Sequence, residues 1–307
     1  METLLGHQKI QQYFQKMFDL GTLHHAYVFS GPEHSGKKTL AEHIAAYILG
    51  TTRAKLGIHP DFLLVERKDE EGNLKKDITV EHIALVTSKV MMTSISAKYN
   101  VIIIEDAERM NLFAANALLK TLEEPATPTI FFLLTHNIEQ VLPTIRSRVH
   151  SIELPRIPLP VLEAEYIQHF PDHKQLSEML PFSCGLPGLL REWQQTPELF
   201  EEYKAEMNRF FSLFSRPLFE KIAIVEPLFG DKKAHIEGRK DVVRVLHIWQ
   251  EGVQAILSGS HLSPLHSPQL GSSIVVPIYD TIVEAISGLD KNIHPRLLVE
   301  NILLTIP

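Results

Sequence analysis

The amino-acid sequence predicts an α/β fold, a parallel sheet with flanking helices, followed by two all-helical domains. In residues 1–157, short apolar runs alternate with stretches of helical periodicity, which is the pattern of strand–helix–strand units. The runs 101–104 and 130–134 contain no polar residue, as is typical of strands buried on both faces. A glycine-containing loop follows the first predicted strand, and after residue 157 apolar residues recur every three or four positions.

The predicted elements follow from these patterns. Predicted strands cover residues 26–30, 62–66, 100–105, 129–135 and 149–154. Predicted helices between them cover residues 8–18, 37–49, 80–90 and 111–124, and Pro125 ends the last of these. Short helices at 161–170, 173–180 and 185–193 predict a small helical domain over residues 158–195. Longer periodic stretches predict an all-helical domain over residues 196–307, with a Ser-, His- and Pro-rich loop at 258–273.

Composition excludes several classes of protein. The chain has 307 residues, of which 44% are hydrophobic and 22% charged, as in soluble globular proteins. Its single cysteine excludes an internal disulfide and a Cys-rich zinc site. No uninterrupted apolar run reaches the ~18 residues of a membrane span, and the N-terminus lacks a signal-peptide pattern, so we expect a cytoplasmic protein. The net charge of −7 argues against strong DNA binding by this chain alone.

The loop after the first strand is nearly a phosphate-binding P-loop. In Gly31-Pro-Glu-His-Ser-Gly-Lys-Lys-Thr39, the residues Gly31, Gly36 and Lys37 have the required spacing. The magnesium position, which needs a hydroxyl, holds Lys38, and the hydroxyl of Thr39 comes one residue later. The motif predicts the fold of a nucleotide-binding domain without competent hydrolysis, and it leaves nucleotide binding open. The alternative is an ordinary strand-to-helix turn.

Two further charged motifs follow apolar segments. The predicted strand 100–105 ends in Glu105, which Asp106 follows, where an ATPase has Asp then Glu to contact magnesium and position water. This inverted pair either retains a residual cation role or simply ends a strand at the surface. The second motif, Thr144-Ile-Arg-Ser-Arg-Val149, carries two arginines, and its spacing alone favours a solvated helix end.

Several stretches together resemble one family. The chain resembles the delta-prime subunits of bacterial DNA polymerase III clamp loaders, in the AAA+ superfamily, most strongly over residues 4–157. The stretches that carry this resemblance are Leu5-Gly-His-Gln8, His25-Ala-Tyr-Val-Phe-Ser-Gly-Pro32, His59-Pro-Asp-Phe62, Ile104-Glu-Asp-Ala-Glu-Arg-Met110, Ala114-Ala-Asn-Ala-Leu-Leu-Lys-Thr-Leu-Glu-Glu-Pro125 and Leu142-Pro-Thr-Ile-Arg-Ser-Arg148.

The resemblance implies an AAA+ module, a helical lid domain and a helical collar, in a non-motor subunit that helps load the sliding clamp onto primed DNA. It implies gamma/tau ATPases and delta as partner subunits. Arg148 would act in trans on a neighbour's ATP, and Thr135 would lie at a γ-phosphate sensor position. Gly188 stands where active relatives carry a sensor arginine. The family's four-cysteine zinc module is absent from the sequence, so no zinc is expected, and ATP or ADP would bind without productive magnesium if at all.

Two other functions remain open from the sequence. One is an active clamp-loader ATPase of the gamma/tau type, which would need the intact P-loop and acidic motifs that this chain lacks. The other is a stand-alone interaction module with a relic P-loop. The acidic net charge and the Ser147-Arg148 pair argue against that second alternative.

Overall fold

The computed structural model describes residues 5–68, 72–170, 176–229, 237–257, 271–291 and 293–307. The chain divides into two compact units. The first unit comprises Met1–Asp172 and Gly185–Gly188, and the second comprises His173–Cys184 and Leu189–Pro307. The division into three domains at residues 157 and 195 stays a prediction.

The first unit is the predicted parallel sheet with flanking helices. Among the described residues of this unit, five strands pair in the order β2-β3-β4-β1-β5, and every pairing is parallel. All five predicted strands are present, three of them shorter by a residue at one or both ends. The strands are β1 (Ala26–Ser30), β2 (Phe62–Val65), β3 (Asn100–Ile104), β4 (Thr129–Thr135) and β5 (His150–Glu153).

The described part of the first unit also contains six α-helices. The four helices predicted before and between the first four strands begin and end within a residue of their predicted limits. A short helix precedes β5, and another follows it. The helices are α1 (Gln8–Asp19), α2 (Lys37–Ile48), α3 (Val80–Met91), α4 (Leu112–Glu123), α5 (Pro143–Arg146) and α6 (Leu159–His169).

The central strands are buried on both faces, which explains their uninterrupted apolar sequence. In β3, Ile102 and Ile104 pack into one hydrophobic cluster. Val101 and Ile103 point the other way, into a second cluster that contains Leu40 of α2. Successive side chains of a strand point to opposite faces, so one apolar run supplies both cores.

The second unit consists of helices among its described residues. Its helices are α7 (Leu176–Phe182), α8 (Pro187–Gln195, whose first two residues belong to the first unit), α9 (Pro197–Ser212), α10 (Leu218–Val225), α11 (Glu237–Leu257), α12 (Ser272–Asp290) and α13 (Pro295–Thr305). Trp249 is fully buried and stacks on Phe210 with 5.3 Å between ring centroids, and its indole N–H donates to Glu206. Residues 173–175 and 258–270, which include most of the predicted loop, lie outside the described residues.

Within the described ranges of the chain, one helix of the second unit is long and apolar enough, by length and composition, to cross a membrane. This stretch is Ser272–Leu289, and 33% of it is buried within the protein. Its buried residues include Val275, Ile278, Ile282 and Ala285, which share one face at helical spacing. A helix that packs one apolar face in a soluble core passes the same test, so the stretch is weak evidence for a membrane.

Asp61 fixes the segment that leads into β3. Its fully buried carboxylate accepts hydrogen bonds from the backbone N–H groups of Ile95, Ser96 and Ala97, at 2.7 to 2.8 Å. Burial alone would raise the pKa of Asp61, but these N–H groups lower it from 3.8 to about 2. The aspartate of the His59-Pro-Asp-Phe62 stretch therefore acts as an internal cap.

We expect Asp61→Asn to lower the free energy of unfolding by about 1–3 kcal/mol at pH 7, because an amide cannot accept all of these bonds. The folded-state pKa lies below the unfolded value, so the contribution of Asp61 is present above pH ~4 and is lost as the pH falls towards ~2. Urea unfolding at pH 7 and pH 3 measures both effects. The difference in the free energy of unfolding between the unmodified protein and Asp61→Asn should be smaller at pH 3 than at pH 7. The exposed substitution Glu163→Gln is the control, and an equal effect from both substitutions would contradict the assignment.

Candidate functional site

The P-loop joins β1 to α2 in a tightly restrained backbone. A Cβ on Gly31 would lie 2.4 Å from the backbone oxygen of Leu154, so only glycine fits where the chain passes β5. Gly36 has a positive φ of 91° and caps the start of α2. The loop is also held from outside, because the His7 Nε2 atom lies 2.9 Å from the Ser35 backbone oxygen.

The lysine of the P-loop points into its own loop. The ammonium of Lys37 donates to the backbone oxygens of Gly31 and Pro32, at 2.7 and 2.6 Å. Its burial lowers the pKa of Lys37 to about 8, against the opposing charges of Glu33, Glu108 and Asp106. The group that would bind a β- or γ-phosphate therefore has protein partners here.

Asp106 lies in a network of basic groups. Arg67 donates to one of its oxygens at 2.7 Å, and His136 Nε2 lies 3.3 Å from the other. The His136 hydrogen bond, helped by Arg67 and opposed by burial, holds the pKa of Asp106 far below its usual range. His136 Nδ1 lies 3.3 Å from the Lys37 ammonium, so the imidazole of His136 bridges Asp106 and Lys37.

One group in the described part of the chain has the spacing of a metal site. The possible ligand atoms of Asp106, Glu108 and His136 lie within 4.8 Å of one another. Arg67 and Lys37 already supply positive charge to Asp106 and His136. The sequence-based expectation of no metal site stays a prediction.

Lys38, at the magnesium position, lies between two carboxylates. Its ammonium is 2.6 Å from Glu105 Oε1 and 3.2 Å from Glu66 Oε1. Burial would lower the pKa of Lys38, but the hydrogen bond and charge of Glu105 and the charge of Glu66 raise it above its ordinary value. Burial raises the pKa of Glu105, and Lys38 opposes that shift. Lys38 therefore stabilises the charged form of Glu105, which burial disfavours.

The two threonines that the sequence singles out lie on different elements of this site. Thr39 is in the first turn of α2. Thr135 ends β4, and its buried hydroxyl donates to the Asn137 backbone oxygen at 3.0 Å and accepts from the Asn137 N–H at 3.1 Å. The hydroxyl of Thr135 thus closes a turn, as a structural strand-terminal threonine does.

Arg148 lies at the opposite edge of the sheet, after α5 and before β5. Its guanidinium pairs with Glu123 and donates to the Thr144 backbone oxygen at 2.8 Å and to the Ser147 hydroxyl at 3.1 Å. The side chain keeps 35% of its surface exposed and lines a cavity of about 380 Å³. Arg146 instead pairs with Glu139 at 2.7 Å on the protein surface.

The structure brings the P-loop residues together with Glu105, Asp106 and Thr135, at the carboxyl ends of the strands. It also adds partners that the sequence did not single out, namely Glu66, Arg67, Glu108 and His136. Of these four, Glu66 could have been identified from the sequence, because it ends a predicted strand as Glu105 does. The others depend on contacts between distant segments.

Comparisons with known proteins agree on one family. The family model described as "DNA polymerase III, delta subunit" matches residues 6–158. DNA polymerase III subunit delta' of Pseudomonas aeruginosa is 36% identical over 180 residues, covering 53% of each chain. Subunit delta' of Escherichia coli is 32% identical over 152 residues, covering 44% of each chain. The chain therefore spans about half the length of the curated relatives that it matches.

A gamma/tau relative and a solved structure extend this picture. DNA polymerase III subunit gamma/tau of Mycobacterium tuberculosis H37Rv is 29% identical over 168 residues, covering 50% of this chain and 28% of the relative. The gamma subunit-related protein of Thermotoga maritima has a TM-score of 0.53 at 18% identity. That match covers 95% of this chain and 97% of the other. At that identity, the structural likeness supports the fold alone.

Gly188 allows the start of α8 to approach the P-loop, and this gives a test. Its N–H donates to the His34 backbone oxygen at 2.9 Å, and an added Cβ would lie 2.7 Å from that oxygen. We expect Gly188→Ala to lower the free energy of unfolding by about 1–3 kcal/mol through overpacking, as measured by urea denaturation. Gly57→Ala is the matched control, because a Cβ there meets nothing within 4 Å. Equal effects at both positions would contradict the close approach.

Proposed function

Because the chain belongs to the DNA polymerase III delta-subunit family through residues 6–158, we propose that it is a non-motor subunit of a clamp loader. In this role it helps to load a sliding clamp onto primed DNA, and Arg148 acts in trans on the ATP of a neighbouring ATPase subunit. Its own P-loop supports no ATP turnover. The subunit works in the cytoplasm, with gamma/tau-type ATPases and delta as partners.

The position of Arg148 is the observation that carries this proposal. β1 and β5 pair in parallel from Tyr27 with His150 to Ser30 with Glu153. The P-loop follows the carboxyl end of β1, whereas Arg148 precedes the amino end of β5. Four residue pairs at ~3.3 Å each separate the two edges by roughly 13 Å. An arginine at that edge can serve a phosphate on another molecule, but not one in its own P-loop.

The chemistry of a guanidinium suits such a role. It carries a permanent delocalised charge and presents its donors in a planar fork that matches phosphate oxygens. In phosphoryl transfer, an arginine supplied by a second protein stabilises the charge that develops on the γ-phosphate. Arg148 already directs two of its nitrogens, Nε and Nη2, to one oxygen of the Glu123 carboxylate, Oε1, so a phosphate would replace one anion by another.

An active ATPase of the gamma/tau type is the alternative within the same superfamily. That function needs a hydroxyl and a carboxylate for magnesium. Position 38 offers an ammonium that already pairs with Glu105, so the residues present do not fit magnesium. Hydrolysis of ATP by the isolated chain, abolished by Lys37→Ala, would favour this alternative.

A stand-alone interaction module is the alternative from a different class of function. A pull-down from purified gamma/tau and delta subunits separates the two, because a clamp-loader subunit forms a stable complex with them. Recovery of neither subunit would favour the stand-alone module.

We expect Arg148→Ala to leave assembly intact and to lower ATP turnover at the neighbouring site by on the order of 10³-fold, because loss of a trans arginine costs ~10³–10⁵ in rate. Steady-state ATPase assays of the reconstituted complex measure the loss, and size-exclusion chromatography checks assembly. Total turnover falls only by the share of that one site.

Arg146→Ala is the matched control for this experiment. Arg146 lies two residues away, at the end of α5, and pairs with Glu139 rather than facing the Arg148 cavity. The Arg148→Ala complex should therefore lose the share of turnover that belongs to one site, whereas the Arg146→Ala complex should keep the turnover of the unmodified complex. If the Arg148→Ala complex retains the activity of the unmodified complex, the trans role is wrong.

A further inference from the structure

Three charged residues at the carboxyl ends of β2 and β3 take no part in the trans role of Arg148. They are Lys38, Glu66 and Glu105, called here the Lys38 cluster. The parallel pairing of Val65 with Ile104 places the two glutamates side by side, one residue beyond each strand. Lys68 contacts the cluster from its rim, 3.0 Å from Glu66 Oε2.

The cluster occupies the place where a P-loop site holds its divalent cation. In such a site the residue after the P-loop lysine supplies a hydroxyl oxygen, and the acidic strand end supplies a carboxylate. Lys38 stands at the first position and Glu105 at the second. An ammonium offers three donors and no lone pair, whereas Mg²⁺ needs oxygen ligands at ~2.0–2.1 Å in an octahedral arrangement. The donor set therefore does not fit the metal.

We infer that the Lys38 ammonium is a built-in replacement for the divalent cation, and that it closes this site to Mg²⁺. The ammonium lies within hydrogen-bond distance of both glutamates, so it neutralises the carboxylate that a metal would use. A divalent ion bound to Glu105 would sit within a few ångströms of a fixed positive charge, where like charges repel strongly.

The surrounding charges leave Lys38 as the group that decides metal binding in the cluster. Asp106, next to Glu105, is already paired with Arg67 and His136. Glu66 has a second cation in Lys68, but that ammonium lies on the other carboxylate oxygen. Removing Lys38 would leave Glu105 and Glu66 as neighbouring carboxylates, which is the donor chemistry that a hard divalent cation selects.

The inference concerns the protein's own P-loop site and does not depend on any partner subunit. Lys37 adds a second restraint, since it donates to the loop oxygens of Gly31 and Pro32. A nucleotide would have to displace those bonds, whereas a metal ion alone would not. The sharpest probe is therefore Mn²⁺ without nucleotide.

The test is Lys38→Thr in the full-length chain, which removes the ammonium and supplies the missing hydroxyl. Electron paramagnetic resonance measures free Mn²⁺ during a titration, and competition with Mg²⁺ checks the ion class. We expect the variant to bind one additional Mn²⁺ at least about tenfold more tightly than the unmodified chain, because the repulsion is gone and an oxygen ligand is gained. Circular dichroism and thermal melting confirm that the variant is folded.

Two further variants locate the effect. Lys68→Thr removes a neighbouring lysine that also pairs with Glu66 but lies away from Glu105, and it should bind Mn²⁺ like the unmodified chain. Adding Glu105→Gln to Lys38→Thr should abolish the gain, because the carboxylate ligand is lost. Any Mn²⁺ held by Asp106, Glu108 and His136 would be common to all variants and would cancel in these comparisons.

The outcomes are decisive in either direction. Two results would overturn the inference. In the first, the unmodified chain binds Mn²⁺ as tightly as Lys38→Thr, and this binding requires Glu105. In the second, folded Lys38→Thr binds Mn²⁺ no more tightly than the unmodified chain. If Lys38→Thr does not fold, Lys38→Gln is used instead, because glutamine also removes the charge and supplies an oxygen ligand. A gain over the unmodified chain then supports the inference, and equal binding overturns it. Failure of the pull-down or of the Arg148→Ala assay would leave this result unaffected.

Discussion

The parallel pairing of β1 with both β4 and β5 decides where the charged groups of the first unit can act. All five strands run in one direction, so every loop that follows a strand emerges at the same edge. The P-loop, Glu66, Glu105 and His136 meet there, although they are far apart in the sequence. Residues that precede a strand, such as Arg148, lie at the other edge. The sheet thus separates the P-loop site, whose lysines are already paired, from Arg148, which can serve another molecule.

Much of this fold is readable from the sequence, because its signals are local. The apolar runs of β3 and β4 predict buried strands, and a strand buried on both faces admits few polar residues. The start of α4 is equally local, since the Asn111 side chain accepts the N–H of Ala114 at 2.8 Å as an N-cap does. The predicted ends of β2 and β3 lie one residue beyond the observed ends, because the last predicted residues, Glu66 and Glu105, have side chains that leave the sheet.

The partners of the site residues were not readable, because they depend on register and on loop closure. Glu66 meets Lys38 only because β2 pairs with β3 so that Val65 faces Ile104. Arg67 and His136 converge on Asp106 from different strand ends. The inward turn of Lys37 requires carbonyl oxygens that the P-loop backbone presents only once it is folded. The lysine at position 38 predicted the loss of the magnesium site, but it did not predict the ion pair that Lys38 forms there.

The two cations of interest differ in what their departure would leave behind. Arg148 pairs with one carboxylate, Glu123, whose side chain is 49% exposed. An exposed ion pair contributes ~0–1 kcal/mol, and water can hydrate Glu123 when the arginine moves, so exchange for a phosphate costs little. Lys38 holds two carboxylates, Glu105 and Glu66, that are only 24% and 29% exposed. Its departure would leave two less hydrated like charges side by side, which favours the paired state. The ion pair of Arg148 at one edge of the sheet is therefore easily released, whereas the ion pairs of Lys38 at the other edge persist.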